Sequence, residues 1–270
     1  MRPEREALPV IATRVIAHRG DSSEAPENTV PSFDAALQAG ADAIEVDLQL
    51  TADGVVVVIH DDLLDRTTDS VGAVGELDAR AVLAADAGSW FAPAFAGTRV
   101  PTLDALIEWA VGAPGMGWLL EFKGPWSELS VAPVLAQLRA SGVAGRAVVQ
   151  SFDLGTVRAL RAAGPDFRVE ALVFELPAAD GVDGVDGVDA RIERLVEVLR
   201  EVGAEGCNPY GVLLAEHPQL ADVLHSAGFT VTPWTLDEPE HWVRAVEAGV
   251  DAIITNRPGV LRAWLEAKPA

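Results

Sequence analysis

The sequence predicts an α/β fold, a (β/α)8 TIM barrel with one small insertion, from three observations. Short apolar, β-branched runs alternate with longer helical patterns, as parallel βα units do. Eight such runs fall within the 270 residues, the number a closed barrel of about 250 residues needs. No Gly-x-Gly-x-x-Gly fingerprint follows the first run, which argues against an open doubly wound sheet.

The strands are expected at Val15 to His18, Ala43 to Leu48, Trp118 to Phe122, Ala147 to Gln150, Arg168 to Phe174, Ala204 to Cys207, Thr230 to Trp234 and Ala252 to Thr255. Helical spacing of apolar residues marks Val30 to Ala39, Leu103 to Val111, Val131 to Ala140, Arg191 to Val202, Pro239 to Ala248 and Val260 to Ala267. Thr102 can cap the helix that follows it, and Gly40, Gly142, Gly203, Gly228 and Gly249 stand where helices stop. A further apolar run, Val55 to Ile59, reads as a buried strand emptying into a loop at His60.

The barrel domain is expected over 14–267, after an N-terminal extension of 1–13. Two segments interrupt its rhythm. From Asp61 to Val100 the chain is rich in Gly, Asp and Ala around the aromatic cluster Trp90, Phe91 and Phe95, and reads as an insertion over the barrel mouth. From Ala178 to Ala190 Gly-Val-Asp occurs three times with too little apolar content to pack, which predicts a mobile loop.

At 49% hydrophobic residues the chain can bury one sizeable core without a second large domain. The formal net charge of -21 would repel a phosphate polymer, so no nucleic-acid partner is expected. A small anionic substrate stays open, because a divalent cation or clustered bases reverse the potential locally. The single Cys207 reads as a small buried hydrophobe, and a fold without disulfides suits a reduced compartment. Met1 to Val15 lacks the apolar stretch of a signal peptide, and no run approaches the roughly 18 apolar residues of a membrane span. A cytoplasmic protein without stable membrane association is expected.

The chemistry-bearing residues stand at strand ends. Alternate side chains of a strand share a face, so Glu45 and Asp47 point together. Two such carboxylates repel each other when buried, unless a cation joins them. On Glu-x-Asp alone, a strand with one wet face fits equally well. Glu121-Phe122-Lys123 at the end of another strand adds a third acid and an amine. Strand ends converge on one barrel mouth, where three acids can hold a hard divalent metal. His18 and His60 close two apolar runs and can move protons on either side of an anion that the metal, Arg19 and Lys123 neutralise. Phosphodiester cleavage requires this combination: neutralised phosphate oxygens, a base, and an acid for the departing alkoxide. His217, His225 and His241 lie in helical or loop contexts and carry no such reading.

These residues resemble the glycerophosphodiester phosphodiesterase family. The resemblance runs through Ala17-His18-Arg19-Gly20, Ala25-Pro26-Glu27-Asn28-Thr29, Glu45-Val46-Asp47, Asp53-Gly54, His60-Asp61-Asp62 and Leu64-Asp65-Arg66-Thr67-Thr68. It continues through Val100-Pro101-Thr102-Leu103, Glu121-Phe122-Lys123, Gln150-Ser151-Phe152, Pro233-Trp234-Thr235 and Gly249-Val250-Asp251, ending on Thr255-Asn256-Arg257-Pro258. It implies a (β/α)8 barrel that hydrolyses deacylated phospholipids to an alcohol and glycerol 3-phosphate. By position, Glu45, Asp47 and Glu121 match its metal ligands, His18 and His60 its acid-base pair, and Arg19 and Lys123 its phosphate contacts. Trp234 resembles an aromatic that packs on the substrate, although a core tryptophan fits that position equally. Asn256 stands where aspartate is common.

The expected cofactor is one divalent cation, Ca2+, Mg2+ or Mn2+, and the expected partner a small glycerophosphodiester. The preferred alcohol, the metal, the oligomeric state and the division of labour between the histidines are not legible. Asp61 and Asp62 would favour a protonated His60, and hence its role as acid, if they are close in space. Two rival readings are a related lyase that stops at a cyclic phosphate, and a catalytically silent barrel that binds phosphodiesters.

Overall fold

The structure is a computed structural model that describes residues 13–178 and 187–267. The extension expected over 1–13, apart from Thr13, and most of the Gly-Val-Asp segment lie outside the described residues. The far end of that segment is corrected: Val188 to Ala190 open a helix, because partly buried Val188 continues the apolar stripe of Ile192, Leu195, Val196 and Leu199 by one turn.

In chain order the elements are β1 (Arg14–His18), α1 (Val30–Gln38), β2 (Ala43–Leu50), β3 (Val56–Val58), α2 (Ala79–Ala84), α3 (Leu103–Gly112), β4 (Gly117–Phe122), α4 (Glu128–Ala140), β5 (Ala147–Ser151) and α5 (Leu154–Ala163). They continue with β6 (Arg168–Val173), α6 (Val188–Val202), β7 (Gly206–Pro209), α7 (Gly211–Glu216), α8 (Leu220–Ser226), β8 (Thr230–Val231), α9 (Pro239–Glu247), β9 (Ala252–Thr255) and α10 (Pro258–Ala267). Parallel pairing runs β8-β7-β6-β5-β4-β2-β1-β9. The ring is closed between β8 and β9 by backbone hydrogen bonds from Asp251 to Val231, from Ile254 to Pro233 and from Leu236 to Ile254, each 3.0 Å.

All eight expected barrel strands form, with small shifts that have local causes. The seventh barrel strand, β8, ends at Val231 instead of Trp234, leaving one isolated bridge from Tyr210 to Trp234, because Pro209 of β7 has no N–H to continue the ladder between them. The sixth, β7, starts two residues late, because the Ala204 N–H turns back to Leu199 at the end of α6. The further run from Val55 forms the strand β3, which pairs antiparallel with β2 and stands outside the ring. The Asp53-Gly54 turn reverses the chain there, with Gly54 at φ +80°. The structure adds α2, α5, α7 and α8 to the helices named from the sequence.

Strand alternation separates two layers. Val15, Ala17, Ile44, Val46, Leu48, Trp118, Leu120, Phe122, Val149 and Val169 face outward into the main core beneath the helices. Ile16, Leu119, Ala252 and Ile254 face inward as a small apolar floor. The same inward parity continues to His18, Glu45, Asp47, Glu121 and Asn256, so side chains above that floor converge on the C-terminal mouth. The inserted segment has its own core of Val57, Ile59, Leu64, Val74, Val82, Ala87 and Val100.

Candidate active site

The first turn of the chain beyond β1 sets the geometry. Arg19 adopts φ +59° and Gly20 φ +84°, the left-handed region that costs a side-chain-bearing residue energy. Gly20 is obligatory: a Cβ there would lie 2.3 Å from Ser32 Oγ. The reversed backbone turns the Arg19 N–H toward Glu45 Oε2 at 3.1 Å. It also sets the guanidinium between two acids, with Nη1 donating to Glu27 Oε1 at 2.8 Å and Nε lying 3.3 Å from Asp47 Oδ2. That Nε has no aligned hydrogen bond, which leaves a buried donor directed into the acidic cluster.

Asp47 on β2 and Glu121 on β4 are register partners, and Glu45 shares the inward face of β2. The three carboxylates are buried, with one oxygen from each within 4.8 Å of the others. Lys123 Nζ lies 3.1 Å from Glu121 Oε1 and 3.7 Å from Asp47 Oδ1. Asn28, also left-handed at φ +57°, donates its amide to Asp47 Oδ2 at 2.7 Å. Burial, with Asp47 and Glu121 nearby, pushes the Glu45 carboxyl well above the usual carboxylate range. Burial and Asp47 raise Glu121 to about 7, against the opposing pull of Lys123. For Asp47 burial pushes upward, but Arg19, His60, Lys123 and the Asn28 amide outweigh it and hold the group at about 2.

Three acids with oxygen donors only, two of them driven toward protonation by crowding, match what a hard divalent cation takes as ligands. Among the described residues this is the one cluster of at least three acidic, histidine or cysteine side chains close enough to share an ion.

His18 lies at the end of β1, its Nδ1 2.7 Å from Asn256 Oδ1. Burial, then the Arg19 charge, lower its pKa to about 4. His60 is one-third exposed, with Nδ1 2.6 Å from Asp61 Oδ1. Asp61 in turn accepts from Arg66 Nε at 2.6 Å and Nη2 at 2.9 Å, which holds its carboxyl below the usual range. Arg66 also grips Glu27 with both terminal nitrogens, each at 2.8 Å. A chain of ion pairs thus runs from Arg19 through Glu27 and Arg66 to Asp61, which hydrogen-bonds His60. Of the two acids that follow His60, Asp61 lies within hydrogen-bond distance of its ring.

The rest of the mouth is aromatic. Trp234 donates Nε1 to the Asn208 carbonyl at 2.7 Å and packs against Phe152 at 5.3 Å and Tyr210 at 5.1 Å between ring centroids. Phe174 stacks on Tyr210 at 5.0 Å. Trp234 therefore lies outside the main core: it packs on the inward apolar floor and joins a ring cluster at the ends of β5 to β8.

The structure brings Glu45, Asp47, Glu121, Arg19 and Lys123 into one cluster, sets the two histidines beside it on separate segments, and keeps Trp234 with the rings. Glu27, Asn28 and Arg66 stand inside the motifs read from the sequence, but their contacts with one another, with Asp47 and with Asp61 were not legible. Phe152, Phe174 and Tyr210 follow strands at inward-facing positions, a parity that could have found them.

The glycerophosphoryl diester phosphodiesterase family model matches residues 18–260. A glycerophosphodiester phosphodiesterase of Caldanaerobacter subterraneus subsp. tengcongensis is 33% identical over 254 residues, covering 92% of this chain and 96% of its own. The crystal structure of a glycerophosphodiester phosphodiesterase from Agrobacterium tumefaciens superposes with a TM-score of 0.76 at 30% identity, covering 93% of this chain and 99% of that one. An Oleispira antarctica phosphodiesterase, solved in complex with the product sn-glycerol-3-phosphate, superposes with a TM-score of 0.79 at 26% identity over 95% of this chain and 98% of that one. With a barrel of the expected topology and a family match from His18 to beyond β9, the chain belongs to the glycerophosphoryl diester phosphodiesterase family, a family of phosphoric diester hydrolases.

Proposed function

We propose that this chain hydrolyses glycerophosphodiesters to an alcohol and sn-glycerol 3-phosphate, with Glu45, Asp47 and Glu121 holding one divalent cation, Ca2+, Mg2+ or Mn2+. The observation that carries the reading is the buried acidic trio, its oxygens within 4.8 Å of one another, with Arg19 and Lys123 against it and a histidine on separate segments beside it. The product named for the Oleispira relative is the product expected here.

When bound, the cation supplies Lewis acidity to a phosphate oxygen and lowers the pKa of an attacking hydroxyl or water. Arg19 and Lys123, oriented by the acids, offset the remaining phosphate charge. His18, held neutral by burial and Arg19 down to about pH 4, accepts the proton of the attacking group. His60 protonates the departing alcohol, its ring oriented by the Asp61 carboxylate at Nδ1, which Arg66 fixes in turn. Trp234, with Phe152, Phe174 and Tyr210, packs against the alcohol portion. A net charge of -21 disfavours nucleic acid as substrate, and a fold with one buried thiol suits the cytoplasm. No helix of the described residues is long and apolar enough to cross a membrane.

The test is a panel of glycerophosphodiesters assayed with each cation and followed by phosphorus NMR. Glycerol 3-phosphate should form, cease on chelation and return when metal is restored. A cyclic phosphate as the lasting product would favour the lyase reading. Tight binding without turnover under any ion would favour the silent barrel.

A further inference from the structure

Behind His18 lies a hydrogen-bond chain whose members take no part in the steps above. Asn256 follows β9, and its Oδ1 meets His18 Nδ1 at 2.7 Å while accepting Ser22 Oγ at 2.9 Å. At the other end of the amide, Nδ2 donates to Asp237 Oδ2 at 2.6 Å. Asp237, in the loop between β8 and α9, also accepts the Asn256 backbone N–H at 2.8 Å and Thr255 Oγ1 at 2.9 Å, both on Oδ1. The carboxylate is thus surrounded by donors.

The two ends of an asparagine amide have nearly the same shape, so chemistry decides which end faces which neighbour. Asp237 accepts Thr255 Oγ1 and the Asn256 N–H and presents only acceptor oxygens, so the end of Asn256 that faces it carries the hydrogens. The carbonyl end then faces His18 and Ser22, and a carbonyl only accepts. His18 Nδ1 must therefore bear a hydrogen. In a neutral imidazole the second nitrogen, Nε2, is then an unprotonated lone pair. If the amide turned over, its NH2 would meet Nδ1, and the ring hydrogen would move to Nε2, where no further proton can be accepted.

We infer that Asp237 and Asn256 are positioning residues that hold neutral His18 as its Nδ1–H tautomer, leaving Nε2 as the proton-accepting atom of the site. The consequence for turnover rests on the hydrolytic reading; the tautomer itself does not. In that reaction the O–H bond of the attacking hydroxyl or water breaks and its proton goes to Nε2. Its oxygen electron pair forms the bond to phosphorus, and the bond to the alcohol breaks with its pair taken by the alcohol oxygen, which His60 protonates; where the attacker is the substrate's own hydroxyl, the cyclic phosphate so formed is then opened by water, with the proton transfers reversed, to glycerol 3-phosphate.

Nitrogen-15 NMR of the labelled full chain without added metal reads the tautomer directly, with the His18 ring assigned by comparison with His18→Gln. The expected spectrum has a pyrrole-type Nδ1 and a pyridine-type Nε2; the reverse pattern in the wild type overturns the inference, whatever the activity. In Asp237→Asn the partner of Asn256 can present either end of an amide, so Asn256 is free to turn over. That variant should show mixed tautomers and a kcat at least about tenfold lower, with KM within about twofold. Wild-type tautomer and kcat in folded Asp237→Asn would remove the positioning role. Should the variant not fold, the wild-type spectrum still decides the tautomer. Failure of the hydrolytic reading looks different: no turnover by a wild type whose tautomer is as expected.

Discussion

Charged side chains occupy one half of the barrel mouth and aromatic rings the other. On the half formed by β1, β2 and β4, His18, Arg19, Glu45, Asp47, Glu121 and Lys123 are buried or nearly so, and several touch two or more partners. On the half formed by β5 to β8, the rings meet chiefly one another, with Trp234 tied by its Nε1 to the Asn208 carbonyl, and Phe174 is 60% and Phe152 40% exposed. A buried charge is tolerable only with its partners in place, so the first half has little positional freedom. Exposed rings held chiefly by packing, such as Phe174 and Phe152, can shift or be exchanged at small cost. On the function proposed above, phosphate chemistry is assigned to the rigid half and discrimination among alcohols to the adaptable one.

The largest test of that division is Asp47→Asn. Asp47 meets Arg19, Lys123 and Asn28 at once, so its loss should lower kcat/KM on the order of 10^3-fold for every substrate alike. Steady-state kinetics over the ester panel would break the comparison if the loss depended strongly on the alcohol.

A second test concerns the metal-free protein. The Glu121 carboxyl is raised to about 7, so the folded state binds its proton more tightly than the unfolded chain. That contribution to stability is fully present below the ordinary glutamate pKa and is lost as pH rises through about 7. His18 acts oppositely, since a pKa lowered to about 4 gives stability present above 6.5 and lost as pH falls through 4. The Glu121 term is isolated by comparing thermal melts of wild type and Glu121→Gln under chelation between pH 4.5 and 7. The wild-type advantage should shrink with rising pH by at most about 3 kcal/mol, and a saturating cation should abolish the trend. A difference independent of pH would contradict the crowding assigned to the acids.

The smallest expected effect lies on the aromatic half. Phe174→Ala should change the ranking of alcohols by about three- to tenfold while leaving kcat for the best substrate within about threefold. An equal fall in kcat for all substrates would tie that ring to the chemistry and erase the division.

Much of the charged half is legible because its residues lie on strands, where a period of two assigns faces without any knowledge of the fold. Glu45 and Asp47 share a face for that reason, and Glu121 and Lys123 follow the same rule. The links outside the strands are not legible. Arg66 and Glu27 are 39 residues apart in loops, and neither has a periodicity that names the other. The segment before His60 has the composition of a barrel strand, yet the Asp53-Gly54 turn folds it antiparallel onto β2. Asn256 stands out in sequence only as a change from the common aspartate; its role depends on Asp237, from a different loop.

By itself the sequence determined the number of barrel strands, the inward face of each and the identity of the acids, because apolar alternation and strand-end composition are local properties. Tertiary structure alone decided which loops meet. It set the left-handed turn at Arg19 against Ser32, joined Arg66 to Glu27, gathered rings from four strands, and laid Asp237 behind Asn256 and His18. Such contacts arise from closure of the ring, which brings chain segments together without regard to their distance in sequence.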